Sequence, residues 1–137
     1  MRVLAIDTSL NRVAACVMDD GAEDALASES MTMERGHAEA LIPLIDRVVG
    51  QVEEGLPSID RVAVTVGPGS FTGIRTGVAS ARGLALALGI PAVGVTTLAV
   101  MAADFHEVHP GRPVIAAIDA KRGEIYAQAF DGEGKPL

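Results

Sequence analysis

The chain has 137 residues, of which 49% are apolar and 3% aromatic, and a formal net charge of −7. This length predicts one domain with an aliphatic core, which buries roughly two-thirds of the unfolded surface. The acidic balance argues against a chain that binds nucleic acid alone, since such binding depends on cationic neutralisation of phosphates. A lone cysteine, Cys16, excludes a disulfide framework and fits a reducing compartment.

The N-terminus and the hydropathy pattern indicate in which cell compartment the protein is expected. The carboxylate of Asp7 comes too early for a secretory signal peptide. No apolar run reaches the length of a membrane span. We therefore expect a cytoplasmic protein with no membrane partner.

The first third of the chain predicts strands. Arg2 to Ile6 and Asn11 to Met18 read as the first two, and Ala22 to Met33 as a third strand after the Asp19-Asp20-Gly21 turn. Antiparallel strands followed by helices argue against a plain doubly wound nucleotide fold.

The next segment predicts a helix and a strand. Apolar residues recur at three- and four-residue spacing from His37 to Glu53, which indicates an amphipathic helix that Pro43 bends. Ile59 to Val66 then reads as a buried strand.

The centre of the chain is a glycine-rich turn and helix. Gly67-Pro68-Gly69 ends the strand, and Ser70 or Thr72 is expected to cap a helix from Phe71 to Leu88. Its interior glycines, Gly73, Gly77 and Gly83, each cost roughly 1 kcal/mol relative to alanine. Close packing against a neighbouring backbone, or anion binding at the turn, are both compatible with them.

This helix is apolar on nearly every side, because Arg75 and Arg82 are its only charged residues. A single covering sheet buries only one side of a helix, so the composition predicts a partner surface as well as a core. The turn matches neither the Walker A pattern nor the Gly-x-Gly-x-x-Gly dinucleotide pattern.

The last third predicts a strand, a helix and a hairpin. Ala92 to Val95 reads as a strand, and Thr96 or Thr97 caps a helix that ends at Phe105, before a loop over residues 106–113. Val114 to Asp119 and Glu124 to Phe130 predict a hairpin. The outer edge of this hairpin would be unpaired, so we expect the sequence to be the N-terminal part of a longer protein.

Few residues are candidates for chemistry. Asp7, at the end of a strand, either holds Mg²⁺ through water in an ATP-binding protein or closes a local turn. His37, His106 and His109 lack the spacing of a metal site. No set of residues forms a convincing catalytic site.

Four motifs carry a resemblance over essentially the whole chain. They are Leu4-Ala-Ile-Asp7-Thr8-Ser9, the helix from His37 to Ile45, Gly67-Pro-Gly69-Ser-Phe71-Thr-Gly73-Ile-Arg75, and Asp119-Ala-Lys-Arg122-Gly-Glu124-Ile-Tyr126. In this order they resemble the bacterial TsaB (YeaZ) family, the non-catalytic paralogue in N6-threonylcarbamoyladenosine synthesis on tRNA.

The resemblance implies an α/β lobe of the actin/sugar-kinase/Hsp70-like (ASKHA, ribonuclease H-like) fold. Its mixed sheet has antiparallel N-terminal strands and flanking helices. Residues 1–112 would form the first lobe, and residues 113–137 the opening hairpin of a second.

The same resemblance implies the partners. The protein would pair with the catalytic paralogue TsaD, recruit the ATPase TsaE, contact tRNA only through the complex and form a homodimer when alone. The first two helices would supply the partner interface: His37, Leu41, Leu44, Ile45, Val48, Ile74, Arg75, Val78 and Arg82.

No cofactor, metal or catalytic residue is expected. A degenerate nucleotide site leaves room for weak ATP or ADP binding at Asp7, Thr8, Ser9, Gly67 and Gly69. Where the paralogue carries a metal-binding His-x-x-x-His, this chain has Thr97 and Met101, neither of which suits iron or zinc. The alternative is a small ATP-dependent phosphotransferase of the same fold; a peptidase ranks far below both.

Overall fold

The computed structural model describes residues 1–137, which form two sheets and three α-helices. The strands and helices are β1 (Arg2–Asp7), β2 (Arg12–Asp19), β3 (Ala27–Thr32), α1 (His37–Val49), β4 (Arg61–Thr65), α2 (Phe71–Leu88), β5 (Ala92–Val95), α3 (Thr97–Val108), β6 (Val114–Lys121) and β7 (Glu124–Phe130). A short 3₁₀ helix covers Leu56–Ser58.

The first five strands form one mixed sheet in the order β3-β2-β1-β4-β5. β1 pairs antiparallel with β2, and β2 with β3, whereas β4 lies parallel to both β1 and β5. The parallel strands end at the same edge of the sheet, where Asp7 is the last residue of β1 and Thr65 the last residue of β4. This mixed sheet confirms the antiparallel start that the sequence predicted.

Three predicted boundaries differ from the structure by three residues or more. The predicted third strand, Ala22 to Met33, contains β3 only from Ala27 to Thr32, because its first residues form the connection from β2. α1 ends at Val49, four residues before Glu53, where Gly50 caps it. α3 runs to Val108 and therefore includes the first residues of the predicted loop.

Helices α1 and α2 pack side by side on one face of the large sheet. The apolar stripe of α1 is buried there, with Leu41, Leu44 and Val48 fully inaccessible to solvent. An ion pair between Arg47 and Glu29, with 2.6 Å between Nη2 and Oε2, ties α1 to β3.

This packing corrects part of the predicted partner interface. His37, Leu41, Leu44, Ile45 and Val48 are all buried in this chain's own structure, so they do not reach a partner. The three- and four-residue spacing of apolar residues identified the apolar face of α1. It could not show whether that face packs on the chain's own sheet or on another molecule. The residues of α1 that face solvent, such as Glu39, Ile42 and Asp46, lie on the other side of the helix.

Helix α2 begins at the predicted residue, with Ser70 as its N-cap; the Ser70 hydroxyl accepts a hydrogen bond from Gly73 N at 3.3 Å. Its inner face consists of Gly73, Gly77, Ala81 and Ala85. A Cβ atom at Gly73 would collide with the carbonyl oxygen of Thr8, and one at Gly77 with the Thr8 hydroxyl. These two glycines therefore allow close packing, one of the two explanations left open by the sequence.

Helix α3 packs on the β6–β7 hairpin rather than on the large sheet. Leu98 and Ala102 of α3 form a second core with Ala116 and Phe130 of the hairpin. The predicted division at residue 112 puts α3 in the first lobe, whereas its packing groups it with the residues beyond that division. None of the helices combines the length and hydropathy that a bilayer-crossing segment requires.

The glycines of α2 provide a stability test. We expect Gly83→Ala to raise the free energy of unfolding by about 1 kcal/mol, because an alanine there gains helix propensity and its Cβ meets nothing within 4 Å. We expect Gly77→Ala to lower it by about 1–3 kcal/mol, since the Cβ forces Thr8 away from the helix. Urea denaturation of the two variants measures both changes, and equal effects at the two positions would contradict the close contact with Thr8.

Candidate functional site

The polar turn after β1 is held by an internal hydrogen-bond network. One carboxylate oxygen of Asp7, Oδ1, accepts three hydrogen bonds: from Ser9 N at 3.0 Å, Ser9 Oγ at 2.6 Å and Thr65 Oγ1 at 2.7 Å. Asp7 thus closes its own turn, as in the local-turn interpretation, and through Thr65 it also joins β1 to β4. Its other oxygen, Oδ2, takes no part in this network.

Thr8 and Ser9 connect this turn to α2. Both residues are completely buried. Thr8 Oγ1 donates to the Gly73 carbonyl at 2.5 Å, and the Ser9 carbonyl accepts from Ser70 N at 2.6 Å. The Thr8 hydroxyl and the Ser9 carbonyl are thus bonded within the chain, and so is the Ser70 amide at the start of α2.

The glycine turn between β4 and α2 is also in contact with neighbouring segments. Gly67 has a φ of +107°, a conformation that favours glycine, and its carbonyl accepts from Thr97 N at 2.9 Å. A Cβ at Gly69 would collide with the Ser9 carbonyl. The structure brings the predicted nucleotide residues Asp7, Thr8, Ser9, Gly67 and Gly69 together; their binding of a nucleotide stays a prediction.

The outer faces of α1 and α2 carry exposed residues at helical spacing. Phe71, Arg75, Ala79, Arg82 and Leu86 follow one another at intervals of three or four along α2, and all five are exposed. Phe71 is 73% exposed and Leu86 85%. The Arg75 guanidinium lies 5.1 Å from the centre of the Phe71 ring.

The outer face of α1 differs in charge. Glu39, Ile42 and Asp46 are exposed there, and Ile42 is 52% exposed. Of the interface residues predicted from the sequence, Arg75 and Arg82 lie on this outer surface, while Ile74 and Val78 are half-buried beside it. The sequence analysis missed Ile42 and Leu86, which a separate inspection of the polar side of each helix would have identified.

A polar cleft of about 870 Å³ separates the start of α2 from the β6–β7 turn. We call it the α2–hairpin cleft; its lining includes Asn11, Glu34, Arg35, Ser70, Phe71, Asp119, Lys121 and Tyr126. Sequence reasoning selected none of these eight as site residues, but it selected two further lining residues, His37 for the partner interface and Gly69 for the nucleotide site. The signal was present in Lys121-Arg122, two cations at the tip of a hairpin.

The opposite face of the large sheet has a second cavity. It has a volume of about 380 Å³, and small side chains such as Ala5, Ala14 and Ala63 form its floor. Cys16 also lines it, and burial raises the pKa of its thiol. A raised pKa keeps the thiol protonated and weakly nucleophilic, which fits a structural residue.

The two positions that the sequence analysis compared with a metal site, Thr97 and Met101, carry a hydroxyl and a thioether. Thr97 is buried at the start of α3, and its hydroxyl has no hydrogen-bond partner. Met101 is on the next turn of the helix and is exposed. No group of three or more His, Cys, Asp or Glu side chains is arranged to hold a metal.

Comparison with known proteins places this fold in a family. The family model of TsaD, tRNA N6-adenosine threonylcarbamoyltransferase, matches residues 29–136. The tRNA threonylcarbamoyladenosine biosynthesis protein TsaB of Escherichia coli is 36% identical over 92% of this chain and 53% of its own length. The chain thus spans about half the length of the curated relatives it matches.

Solved structures agree with the sequence comparison. YeaZ from Pseudomonas aeruginosa superposes with a TM-score of 0.88 at 31% identity, over 99% of this chain and 63% of that one. The Aquifex aeolicus PPX-GPPA enzyme superposes with a TM-score of 0.52 at 17% identity, over 99% of this chain and 50% of that one, a likeness of fold alone. The actin/Hsp70-like fold is thereby confirmed, and the chain belongs to the TsaB (YeaZ) family, which is related to the TsaD transferase.

Proposed function

We propose that this chain is a non-catalytic accessory subunit that pairs with a TsaD-type paralogue for N6-threonylcarbamoyladenosine formation in tRNA. The observation that carries the proposal is the outer stripe of α2, where Phe71 and Leu86 are exposed although both are large and apolar. Exposed apolar patches rimmed by polar groups are typical of protein–protein contact sites.

The charges beside this stripe indicate what kind of surface fits it. Glu39 and Asp46 are seven residues apart on α1, and Arg75 and Arg82 are seven apart on α2. Seven residues of helix span about 10.5 Å, so both pairs have the same separation. None of the four residues belongs to an ion pair within the chain.

A second helix pair of the same design would complement this arrangement. In a two-fold or pseudo-two-fold pairing, the acidic α1 of one molecule lies against the basic α2 of the other. A paralogue of the same fold offers such a helix pair, and so does a second copy of this chain. We infer that the paralogue is the working partner and that the homodimer forms in its absence.

The remaining partners follow from this role. A TsaE-type ATPase would join the assembly, and tRNA would contact it through the other subunits, because a net charge of −7 disfavours phosphate binding by this chain overall. The assembly would work in the cytoplasm. Thr97 and Met101, in place of the paralogue's histidines, support a subunit without catalysis of its own.

Substitution on the outer stripe tests the pairing. We expect Leu86→Asp to weaken binding to the TsaD-type paralogue at least about 30-fold, since it removes apolar contact and buries a charge. Val108→Asp is the matched control, because Val108 is an equally apolar residue at the end of α3 with 73% exposure. Calorimetric titration measures both affinities, and wild-type binding by the Leu86 variant would refute this interface.

Charge reversal tests the homodimer. One double variant, Arg75→Glu with Arg82→Glu, has two acidic helices, and another, Glu39→Lys with Asp46→Lys, has two basic ones. We expect each to be monomeric alone by light scattering, and their equimolar mixture to dimerise, because both contacts between α1 and α2 regain opposite charges. Dimers of either variant alone, or a monomeric mixture, would contradict this pairing of the helices.

The alternative function, an ATP-dependent phosphotransferase, makes the opposite prediction for nucleotide. It rests on the free Oδ2 of Asp7 at the carboxyl edge of the parallel strands. Under the accessory role, we expect titration calorimetry with Mg-ATP to show weak binding at most and no phosphate release. Tight binding with turnover, lost in Asp7→Asn, would establish the alternative instead.

A further inference from the structure

We propose that the outer edge of β5 is a docking surface for a second copy of this chain, which adds its own β5 to that edge in the antiparallel direction. β5 and β3 are the two edge strands of the large sheet. The β5 edge contains none of the outer-stripe residues of α1 and α2. Association at this edge therefore goes beyond the pairing role and does not rest on it.

The two edges of the large sheet differ in composition. β3 has the sequence Ala-Ser-Glu-Ser-Met-Thr, which is mostly polar, whereas β5 has the sequence Ala-Val-Gly-Val, without a polar side chain. Natural sheets protect their edges with charged side chains, proline, bulges or a covering segment. β5 contains no charge, no proline and no bulge. Only the short length of the strand therefore limits pairing at this edge.

β5 is also the least covered strand of the large sheet. Each of the other four strands has at least one buried residue, whereas Ala92, Val93 and Gly94 are exposed and Val95 is half-buried. Val93 is 39% exposed although it is large and apolar. Continuous apolar strands are typical of positions that are covered on both sides of a sheet. β5 thus lacks the neighbour that its sequence fits.

The pairing of β5 with β4 fixes the direction of its backbone groups. The Pro91 carbonyl accepts a hydrogen bond from Val62 N at 3.0 Å, and the Val95 carbonyl accepts one from Val66 N at 2.9 Å. Backbone groups of successive residues point to opposite sides along a strand. Val93, midway between these two carbonyls, therefore also directs its N–H and C=O groups toward β4.

The N–H and C=O groups of Ala92 and Gly94 consequently point away from the sheet. No backbone group from another segment of the chain bonds to either residue. Each residue has one donor and one acceptor on this side. The edge thus offers two donors and two acceptors to another extended strand.

A second β5 in the antiparallel direction satisfies all of these groups. When Val93 of one copy lies opposite Val93 of the second copy, Ala92 of each strand lies opposite Gly94 of the other. Each of these two pairs exchanges two hydrogen bonds, while the opposed Val93 residues form the pair without hydrogen bonds between them. The two-fold axis passes between the Val93 side chains, so the contact is closed and joins two copies only.

The second copy fits this edge for two reasons. Identical strands repel each other when charged side chains face across the axis, and β5 has none. The donors and acceptors also match under the two-fold operation without a change in the backbone. A contact of four residues on each strand is small, so we expect a dissociation constant on the order of 100 µM.

Disulfide cross-linking tests the register. Opposed residues without mutual hydrogen bonds have Cα atoms about 4.5 Å apart, which is within the range of a disulfide. We expect Val93→Cys, in a Cys16→Ala background, to form a disulfide-linked dimer with oxidised glutathione, as resolved by non-reducing electrophoresis. Val95→Cys is the matched control on the same face, because its two copies would be about 13 Å apart along the strands.

We expect at least about tenfold less dimer from Val95→Cys than from Val93→Cys, because its thiols cannot reach each other. Yields are compared after correction for the rate at which each thiol reacts with a small disulfide reagent, since Val95 is less exposed. Equal corrected yields at the two positions would overturn the proposed register.

Amide hydrogen exchange measures association at the edge independently of contacts made by the helices. We expect the Ala92 and Gly94 amides of the full chain to exchange about three times more slowly at about 1 mM protein than at about 50 µM, because they donate across the interface. Val93→Lys and Val93→Glu should each abolish this concentration dependence, since like charges then face each other across the axis. An equimolar mixture of the two variants should restore it.

Val108→Lys, at an exposed residue at the end of α3, should exchange as the wild-type chain does. Exchange of Ala92 and Gly94 that is fast at every concentration would overturn the proposal. Slow exchange at every concentration would also overturn it, because the edge would then be covered within one molecule. So would a mixture of the two Val93 variants that behaves as each variant does alone.

Discussion

The structure depends on the close contact between the turn after β1 and the first half of α2. Thr8 donates to the Gly73 carbonyl, and Ser9 accepts from Ser70 N, while Gly73 and Gly77 leave no side chain between the segments. This contact ties the middle of the sheet to the helix that covers it. It also engages the Thr8 hydroxyl and the Ser9 carbonyl of a turn that the sequence presents as a candidate nucleotide site.

That contact determines what α2 presents to solvent. Because its small residues face the sheet, Phe71, Leu86 and both arginines are on the other side, whereas Val78, Leu84 and Leu88 pack partly buried against the core. The cost of Gly73 and Gly77 is therefore offset by internal packing, and the outer stripe is a separate feature with its own explanation. Glu39 and Asp46 on α1 give this outer surface two halves of opposite charge, a property that suits pairing with a molecule of the same fold.

The α2–hairpin cleft is formed where the first sheet meets the second core. Phe71 and Ser70 reach it from the start of α2, and Lys121 and Tyr126 from the β6–β7 hairpin. The cleft is adjacent to the pairing stripe at Phe71 only.

The sequence by itself determined the order of the elements, the start of α2 and the family, because periodicity and the Gly-Pro-Gly motif are local properties; it left the N-cap open between Ser70 and Thr72, and the structure decided for Ser70. It also identified α2 as more apolar than one covering layer requires. Only the tertiary structure decided which side of each helix is free: Leu41, Leu44 and Val48 are apolar at helical spacing, yet they cover the sheet, while Ile42 and Leu86 face solvent. Spacing defines the faces of a helix, but which face is buried depends on residues far away in the chain, as Thr8 is from Gly77.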